Sequence, residues 1–595
     1  MTEKKEPKDG YIIDFISGEE VKATPEEIEA VQVFSKMLVR DYEYAKDHIT
    51  TRPQFRVRAR PSDTKNEYPV DIAVFKNNKK NEDDVWIIVE CKKKNRKDGR
   101  KQLEDYLKFS KAQLGVWFNG EEKLFLKKIE KDGKVLFDEI PNIPTSGQRI
   151  EDIGKFKRKD LKPAYNLKSI FKTMRNYLAG NVVGATRDEV LAQQLINVIF
   201  CKIYDEKYTR PNDIVNFRAG VDESAKDIQK RILDIFDLVK KKYSDVIDDN
   251  DKISLDAKSL AYVVGELHLF SLTEAERDAV GDAFEVFIGH ALKGGQGQFF
   301  TPRNVVKLAI DILNPKQTDL IIDPACGSGG FIIECLRHVW KLVDEEGTKY
   351  KWPENEIEIE KQKVAIDKIR GIDKDYFLGK ICKAYMAILG DGRGGIFCEN
   401  SLDEPKNWAT KTREKVQLGT FSIVVTNPPF GKKIVVEGEK LLSQYEIGHK
   451  WKQDKKTGEW GKEKLKDKEA PQYLFIERCL QLLKPGGKLG IVLPDGVLGN
   501  DQLGYIRNLI MQQARIVSVV DVPKETFMPH TPTKTSLLFI KKLSEGEKLE
   551  DDYPIFMAVC EKCGHDRRGN VLEEEDLTLV GPEFEKWKIE HNVNY

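Results

Sequence analysis

The sequence predicts a multidomain α/β protein: an N-terminal α/β domain, a helical domain, and a larger doubly wound, Rossmann-like domain followed by a short extension. Three observations carry this. The chain has 595 residues, which at about 150 residues per domain suggests three or four domains. Strand-like apolar runs at 320–323, 369–373, 421–426 and 488–494 alternate with helical periodicity, the signature of a parallel sheet covered by helices on both faces. From about 160 to 292 the pattern is mainly helical. The boundaries that follow are 1–150, 151–292, 293–545 and 546–595.

The first domain opens with a helix signal, in which Thr24, Pro25 and Glu27 supply N-cap, N1 and N3 ahead of Ile28, Val31, Phe34, Met37 and Leu38 at helical spacing. Strand candidates follow at Val70 to Phe75 and Val85 to Val89, then the basic run Lys92 to Lys101, then a helical pattern from Gln102. Periodic stretches around Val190 to Ile203, Ile228 to Val239 and Ala283 to Leu292 define the helical domain. Inside the third domain, the lysine-rich stretch from Gly431 to Ala470 interrupts the α/β rhythm and reads as a solvated loop with a candidate role in contacting substrate.

Lys+Arg and Asp+Glu both number 98, which argues against a uniformly basic nucleic-acid coat while leaving room for basic faces. The N-terminal MTEKKEPKDG is too charged for a signal peptide, and no apolar run approaches the roughly 18 residues of a membrane span. A cytoplasmic protein with no membrane partner is expected. Nine scattered cysteines fit reduced thiols better than a disulfide framework. Cys560, Cys563 and His565 lack a nearby fourth ligand, so a loop with incidental thiols is favoured over a zinc site.

Two constellations lie in the third domain. Asp323, Gly327, Ser328, Gly329 and Gly330, within DPACGSGGF, follow a strand and open a helix, where backbone without side-chain bulk lets a ligand approach closely. Ile332 stands where a dinucleotide fingerprint needs a small residue, which weakens a nicotinamide reading. Asp373 ends the next strand candidate and offers a carboxylate to ribose hydroxyls, so an adenosine-type cofactor is implied. Downstream, Asn427-Pro428-Pro429-Phe430 follows the apolar run 421–425. Two prolines stiffen the backbone and remove donors, leaving the Asn427 side-chain oxygen and the Pro428 carbonyl to accept from an exocyclic amine. Those dipoles and the Phe430 ring would stabilise the positive charge gained when the amine attacks a methyl donor, and the ring could stack on a planar base. A base inside a duplex must first be rotated out.

Gln298-Phe299-Phe300-Thr301-Pro302, then DPACGSGGF, then NPPF resemble in order the motifs of amino-directed adenine-N6 DNA methyltransferases, as found in the modification subunits of Type I restriction systems. The resemblance covers roughly 160–545. It implies S-adenosyl-L-methionine as donor, with Gln298, Phe299, Phe300, Thr301 and Pro302 at the cofactor, Phe300 and Thr301 of these near its methionine end, the Ser328 to Gly330 backbone beside it, Asp373 on the ribose, Asn400 near the cofactor's adenine, and Asn427 to Phe430 holding a flipped adenine.

A third constellation lies in the N-terminal domain. Asp71 and Glu90 sit at the ends of successive strand candidates, where two carboxylates can share Mg²⁺, and Lys92 projects to the same face as Glu90. Gln102 and Tyr106, four apart on the next helix, point at the same region. This resembles the PD-(D/E)xK nucleases, and more narrowly the N-terminal domain of Type I restriction subunits, over about 20–140. The basic run Lys92 to Lys101, together with Arg56, Arg58 and Arg60, could meet phosphates.

The expected function is a combined restriction-modification subunit acting on double-stranded DNA, methylating adenine and cleaving with Mg²⁺. No G-x-x-x-x-G-K-[ST] occurs, so cleavage should not need ATP hydrolysis. Only about 50 residues follow the last methyltransferase strand, so a separate specificity subunit, and hence a hetero-oligomer, is expected. The alternatives are a methyltransferase whose N-terminal domain only binds DNA or a partner, an enzyme that methylates a protein glutamine, and a non-catalytic assembly factor.

Overall fold

Short apolar runs separated by polar turns become a six-stranded sheet in the first part of the chain. In the computed structural model, residues 7–58, 67–164, 166–181, 188–244, 246–247, 249–274, 301–389, 392–431, 434–528, 531–549, 552–568 and 570–595 are described. They form two compact units, Met1–Phe287 and Ile288–Tyr595. Among the described residues no helix is long and apolar enough to cross a membrane. All nine cysteines are free thiols.

In the first unit, Thr24 accepts from the Glu27 amide at 3.2 Å and starts a π-helical turn, Glu27–Val31, that runs into α1, Gln32–Arg40. The reciprocal half of the expected capping box does not form, because the Glu27 carboxylate is taken by Arg52 at 2.7 Å and Gln32 at 2.8 Å. Val31, Phe34 and Leu38 are buried as predicted, whereas Ile28 is exposed. The sheet contains β1 (Ile49–Thr50), β2 (Ile72–Phe75), β3 (Val85–Cys91), β4 (Leu114–Phe118), β5 (Lys123–Lys131) and β6 (Lys134–Ile140), ordered β6-β5-β4-β3-β2-β1. Only β3 and β4 run parallel, and helix α2, Arg100–Phe109, connects them, as a parallel crossover requires. Its Leu103, Tyr106 and Leu107 bury against the sheet.

The helical segment comprises α3 (Leu167–Asn181), α4 (Asp188–Tyr208), α5 (Ala225–Lys242) and α6 (Ala257–Leu267). The boundary expected at 150 is not a break in packing. Lys123 on β5 and Glu266 on α6 form a buried ion pair at 2.6 Å, and Asn142 accepts from Tyr42 and donates to the Gly265 carbonyl. Groups so buried must be paired to be tolerated, which ties the helices to the sheet. The stretch Ala283 to Leu292 lies outside the described residues.

The second unit is built on an eight-stranded sheet. Its elements are α7 (Arg303–Leu313), β7 (Ile321–Asp323), α8 (Gly330–Tyr350), α9 (Glu354–Asp367), β8 (Ile369–Asp373), α10 (Tyr376–Leu389), β9 (Ile396–Cys398), β10 (Phe421–Thr426), α11 (Pro471–Leu482), β11 (Leu483–Pro494), α12 (Gly504–Gln513), β12 (Ala514–Asp521), β13 (Thr535–Lys542), β14 (Phe556–Val559) and α13 (Leu577–Glu590). The order is β9-β8-β7-β10-β11-β13-β12-β14. Strands β7 to β11 are mutually parallel and buried on both faces: Ile423 and Val425 enter one core, Val424 the other. That double burial explains the consecutive apolar residues Ile423, Val424 and Val425.

Two features differ from a simple parallel sheet. Strand β13 runs antiparallel to both β11 and β12, since a hairpin-like return needs no crossover helix. The residues after 545 do not stand apart: β14 pairs with β12, Asn304 donates to the Cys563 carbonyl at 3.0 Å, and Tyr595 is buried in the core.

Candidate active sites

The order β8-β7-β10 places the chain reversal of the parallel sheet between β7 and β10, and a ligand crevice opens at the carboxyl ends of strands at such a point. Both motifs of the third domain emerge there. Asp323 ends β7, buried, and its carboxylate accepts from the Ala325 amide at 2.9 Å. Burial pushes this carboxyl up to about 7 against the pull of the Thr426 hydroxyl and the Ala325 amide. Gly327 and Gly329 take positive φ, +53° and +99°, conformations that tolerate side chains poorly. A Cβ on Gly329 would sit 2.8 Å from Cys382 Sγ, while none would meet an atom within 4 Å at Gly327, so the loop packs tightly below and lies open above. Ser328 is half-buried and Gly330, the first residue of α8, is exposed.

Asp373 ends β8 and accepts from the Gly327 amide at 2.8 Å and the Asp375 amide at 2.8 Å. Burial raises its carboxyl, and those two amides hold it down. Between α8 and β8 lies a second helix, α9, which lengthens the interval before Asp373 and is tied to α8 by the Trp340 indole donating to the Lys361 carbonyl at 2.8 Å. A cavity of about 380 Å³ is lined by Pro324, Asp373, Asn400, Pro429, Val436 and Phe475, among others. Asp373, Asn400 and the proline turn thus share one space. Asn400 itself is fixed by accepting from the Leu402 amide at 3.2 Å and donating to Asp403 at 3.0 Å.

The Asn427 side chain donates to the Thr301 hydroxyl at 3.0 Å, joining the first motif to the last. Its Oδ1 is buried and has no partner among the described residues. A buried acceptor left unbonded is costly unless a ligand satisfies it. Pro302 precedes α7, and Gln298, Phe299 and Phe300 lie outside the described residues. Pro428 is buried and Pro429 half-buried. Phe430, expected as an open stacking face, is instead enclosed: it is 1% exposed and meets Phe527 edge-on with ring centroids 6.3 Å apart. An aromatic ring buried in this way gains both transfer free energy and an edge-to-face contact.

The stretch from Gly431 to Ala470 is not the irregular loop expected. Val436–Glu437 pairs with Lys468–Glu469 at its root, and His449–Gln453 pairs with Trp460–Leu465 as a hairpin. Arg478 on α11 is fully buried, donating to the Tyr445 hydroxyl and to the carbonyls of Leu402 and Asp403. Tyr445 in turn donates to Leu402 at 2.6 Å. The excursion therefore holds the 400–403 turn that lines the cavity.

In the first unit, antiparallel pairing of Ile72 with Val89 sets Asp71 opposite Glu90. Asp71 accepts from the Cys91 amide at 2.7 Å, and Glu90 accepts from Lys92. Gln102 lies 3.4 Å from Lys92 Nζ and donates to the Tyr106 hydroxyl at 2.6 Å, which donates to the Pro69 carbonyl at 3.2 Å. All five residues picked from the sequence meet. Burial pushes Asp71 up to about 6; burial and then the Asp71 charge push Glu90 up to about 7. Burial works to lower Lys92, but its bond to Glu90 prevails and raises it. Glu26, which spacing did not single out, adds negative charge felt by both carboxylates; it lies too far upstream in sequence for any local pattern to connect it. Among the described residues no group of three or more His, Cys, Asp or Glu is placed to hold a metal, the Cys560 to His565 segment included.

The basic run after Glu90 is mostly spent internally. Lys94 pairs with Glu121 at 3.0 Å, Lys97 with Glu122 at 3.1 Å, Arg96 with Asp98, and Arg100 with Glu104 at 3.0 Å and Glu139 at 2.5 Å. Arg58 is likewise held by Glu67 at 2.6 Å, and Arg60 lies outside the described residues.

Comparison with known proteins adds five findings. Residues 25–144 match the family described as the N terminus of the Type I restriction enzyme R protein. A Type I restriction enzyme methylase subunit, EcoEI, from Escherichia coli is 26% identical over 288 residues, 48% of this chain and 50% of that one, so the chain spans about half the length of this curated relative. The Type II restriction enzyme and methyltransferase RM.BcgI from Heyndrickxia coagulans is 22% identical over 320 residues, 53% of this chain and 41% of that one. A Type I methyltransferase subunit from Streptococcus thermophilus of known structure aligns over 72% of this chain and 92% of its own, at 16% identity and a TM-score of 0.47. With the glycine loop, Asp373 and the proline turn gathered at one crevice, and with residues 275–594, more than half of the chain, matching its description, the protein belongs to the N-6 DNA methylase family.

Proposed function

We propose that this protein is a combined restriction-modification subunit that transfers a methyl group from S-adenosyl-L-methionine to adenine N6 in DNA and cleaves DNA with Mg²⁺. The observation that carries the transfer is the unbonded, buried Oδ1 of Asn427 beside a cavity shared by Asp373, Asn400 and Pro429. The residues fit the cofactor: open glycine backbone for its methionine end, Asp373 for ribose hydroxyls and Asn400 beside its adenine. When bound, it supplies a methyl group on a positively charged sulfur. Asn427 Oδ1 and the Pro428 carbonyl accept from the exocyclic amine, orient its lone pair and stabilise the charge it gains. A base stacked on Phe430 first has to displace what encloses that ring.

Gly329→Ala should lower stability by about 1–3 kcal/mol, since it combines a left-handed conformation with contact on Cys382. Thermal unfolding measures this, and weakened cofactor binding by titration is expected alongside it.

The pair Asp71 and Glu90 suits Mg²⁺, which usually takes one or two carboxylates and keeps waters or phosphate oxygens for its remaining positions. The same residues set a pH dependence. Both carboxyls are raised, so without metal they contribute stability that is complete below their ordinary values near 4, and that is lost as pH rises through about 6 to 7. A cation must displace their protons, so its affinity grows over that interval. Millimolar Mg²⁺ should therefore raise the melting temperature at about pH 8 and leave it unchanged at about pH 5. Equal stabilisation at both would count against metal binding by this pair.

A second reading, in which the first unit only binds DNA or a partner, is favoured by one observation: Glu90 is already bonded to Lys92, with no third ligand gathered nearby among the described residues. A separate specificity subunit is proposed because the Type I relative EcoEI is itself named as a methylase subunit. One experiment tests the whole: DNA, labelled methyl donor and Mg²⁺, with and without the neighbouring gene's product. Label on adenine N6 with cut DNA supports the proposal, whereas label on protein and never on DNA would overturn it for a glutamine acceptor.

A further inference from the structure

The hairpin formed by His449–Gln453 and Trp460–Leu465 carries charge in a way that the first unit's basic run does not. From 449 to 466 there are seven lysines and three acidic residues. Lys462 pairs with Glu446 at 2.9 Å and Lys466 with Glu469. Lys450, Lys452, Lys455, Lys456 and Lys464 are exposed and make no ion pair among the described residues.

The hairpin is nonetheless held firmly. Trp451 stacks on Tyr505 of α12 with centroids 6.1 Å apart and planes at 10°, and Trp460 meets the same ring edge-on at 5.9 Å. Pairing of Trp451 with Lys462, and of Gln453 with Trp460, puts both tryptophans on one face. Lys450 and Lys452, alternating with them, occupy the other. At the tip the Asp454 carboxylate accepts from the amides of Lys456 at 2.7 Å and Thr457 at 3.1 Å, and Gly458 takes φ +77°. This fixed turn presents Lys455 and Lys456 beyond the strands. The acidic group nearest them is spent inward on amides.

The root of the excursion borders the crevice. Ile434, Val435 and Val436 line the same cavity as Asp373 and Pro429, and the excursion begins one residue after Phe430. An anchored arm with unpaired cations on its outer face, rooted beside the proline turn, fits a polyanion that passes over that turn. We infer that the hairpin 449–465 is a phosphate-binding arm that grips the backbone of duplex DNA beside the target base. This rests on the proposed DNA substrate. Its contacts are electrostatic and independent of sequence, so the arm adds affinity and positioning without base readout.

The test compares the full-length wild type with the quadruple variant K450A/K452A/K455A/K456A. Binding to a duplex of arbitrary sequence is measured across a salt series, with S-adenosyl-L-methionine affinity and melting temperature as folding controls. The variant should keep both controls, bind DNA roughly ten- to a hundred-fold more weakly at about 0.1 M salt, and lose about two to four from the slope of log K against log salt. An unchanged slope and affinity overturns the inference. So does undiminished DNA binding with lost binding to vesicles of anionic phospholipid, which would assign the arm to a membrane surface. Wild type that binds DNA through the arm but transfers no methyl group refutes the proposed activity and leaves the arm standing. Methyl transfer with an unchanged slope does the reverse.

Discussion

On the proposed mechanism, Asn427→Ala is expected to slow methyl transfer about 10²- to 10³-fold while cofactor binding survives. The side chain supplies an acceptor that is buried, preorganised by its bond to Thr301, and without a partner among the described residues. Removing one such preorganised dipole from a reaction centre costs about 10²- to 10³-fold in rate. In the proposed mechanism the residue contacts the acceptor and not the donor, so the dissociation constant of S-adenosyl-L-methionine should change little, and single-turnover transfer to DNA reports the chemical step. A variant that transfers methyl at near wild-type rate would move the active centre elsewhere. Thr301→Val is the companion measurement. It deprives the Asn427 amide of its hydroxyl partner, and a smaller loss is expected because the oxygen remains in place with less restraint.

On the proposed nuclease reading, Asp71→Ala is expected to eliminate DNA cleavage and to leave methylation intact. Asp71 and Glu90 lie opposite one another across the β2–β3 pair, and the first belongs to a compact unit, Met1–Phe287, that lacks the methyltransferase crevice. Without one carboxylate, a divalent ion held by the proposed pair would lose half of its protein ligands, and with them the charge stabilisation and activated water it would supply to hydrolysis. The expected loss is at least about 10³-fold, read from supercoiled plasmid with Mg²⁺ present. The variant should also lose the Mg²⁺-dependent gain in melting temperature at high pH. Cleavage that survives the substitution would leave the first unit as a binding domain.

Much of the architecture was readable before any coordinates. The run 421–426 is buried at every position and carries Phe421, Ile423, Val424 and Val425 because β10 is covered on both faces, and such a run is local information. Gly327 and Gly329 announce a turn because only glycine takes those φ values cheaply. Asp71, Glu90, Lys92, Gln102 and Tyr106 were legible as a group because strand ends and i, i+4 spacing place side chains predictably. The hairpin after Phe430 was not. Its strands are rich in lysine, lack β-branched residues, and are stabilised by Tyr505 some forty residues downstream. Likewise β14 and α13 read as a tail, because what makes them part of the sheet is their pairing with β12 and burial against α7.

Chemistry and element type were determined by the sequence itself, since backbone conformation and the kinds of donor and acceptor depend on residues within a few positions of each other. Which charges are free was decided only by tertiary structure. The basic run after Glu90 and the lysines of the hairpin look alike as strings. Folding brings Glu121, Glu122 and Glu139 to the first and leaves the outer face of the second uncompensated. Ion pairing depends on distance in space, and for these groups no sequence interval predicts it.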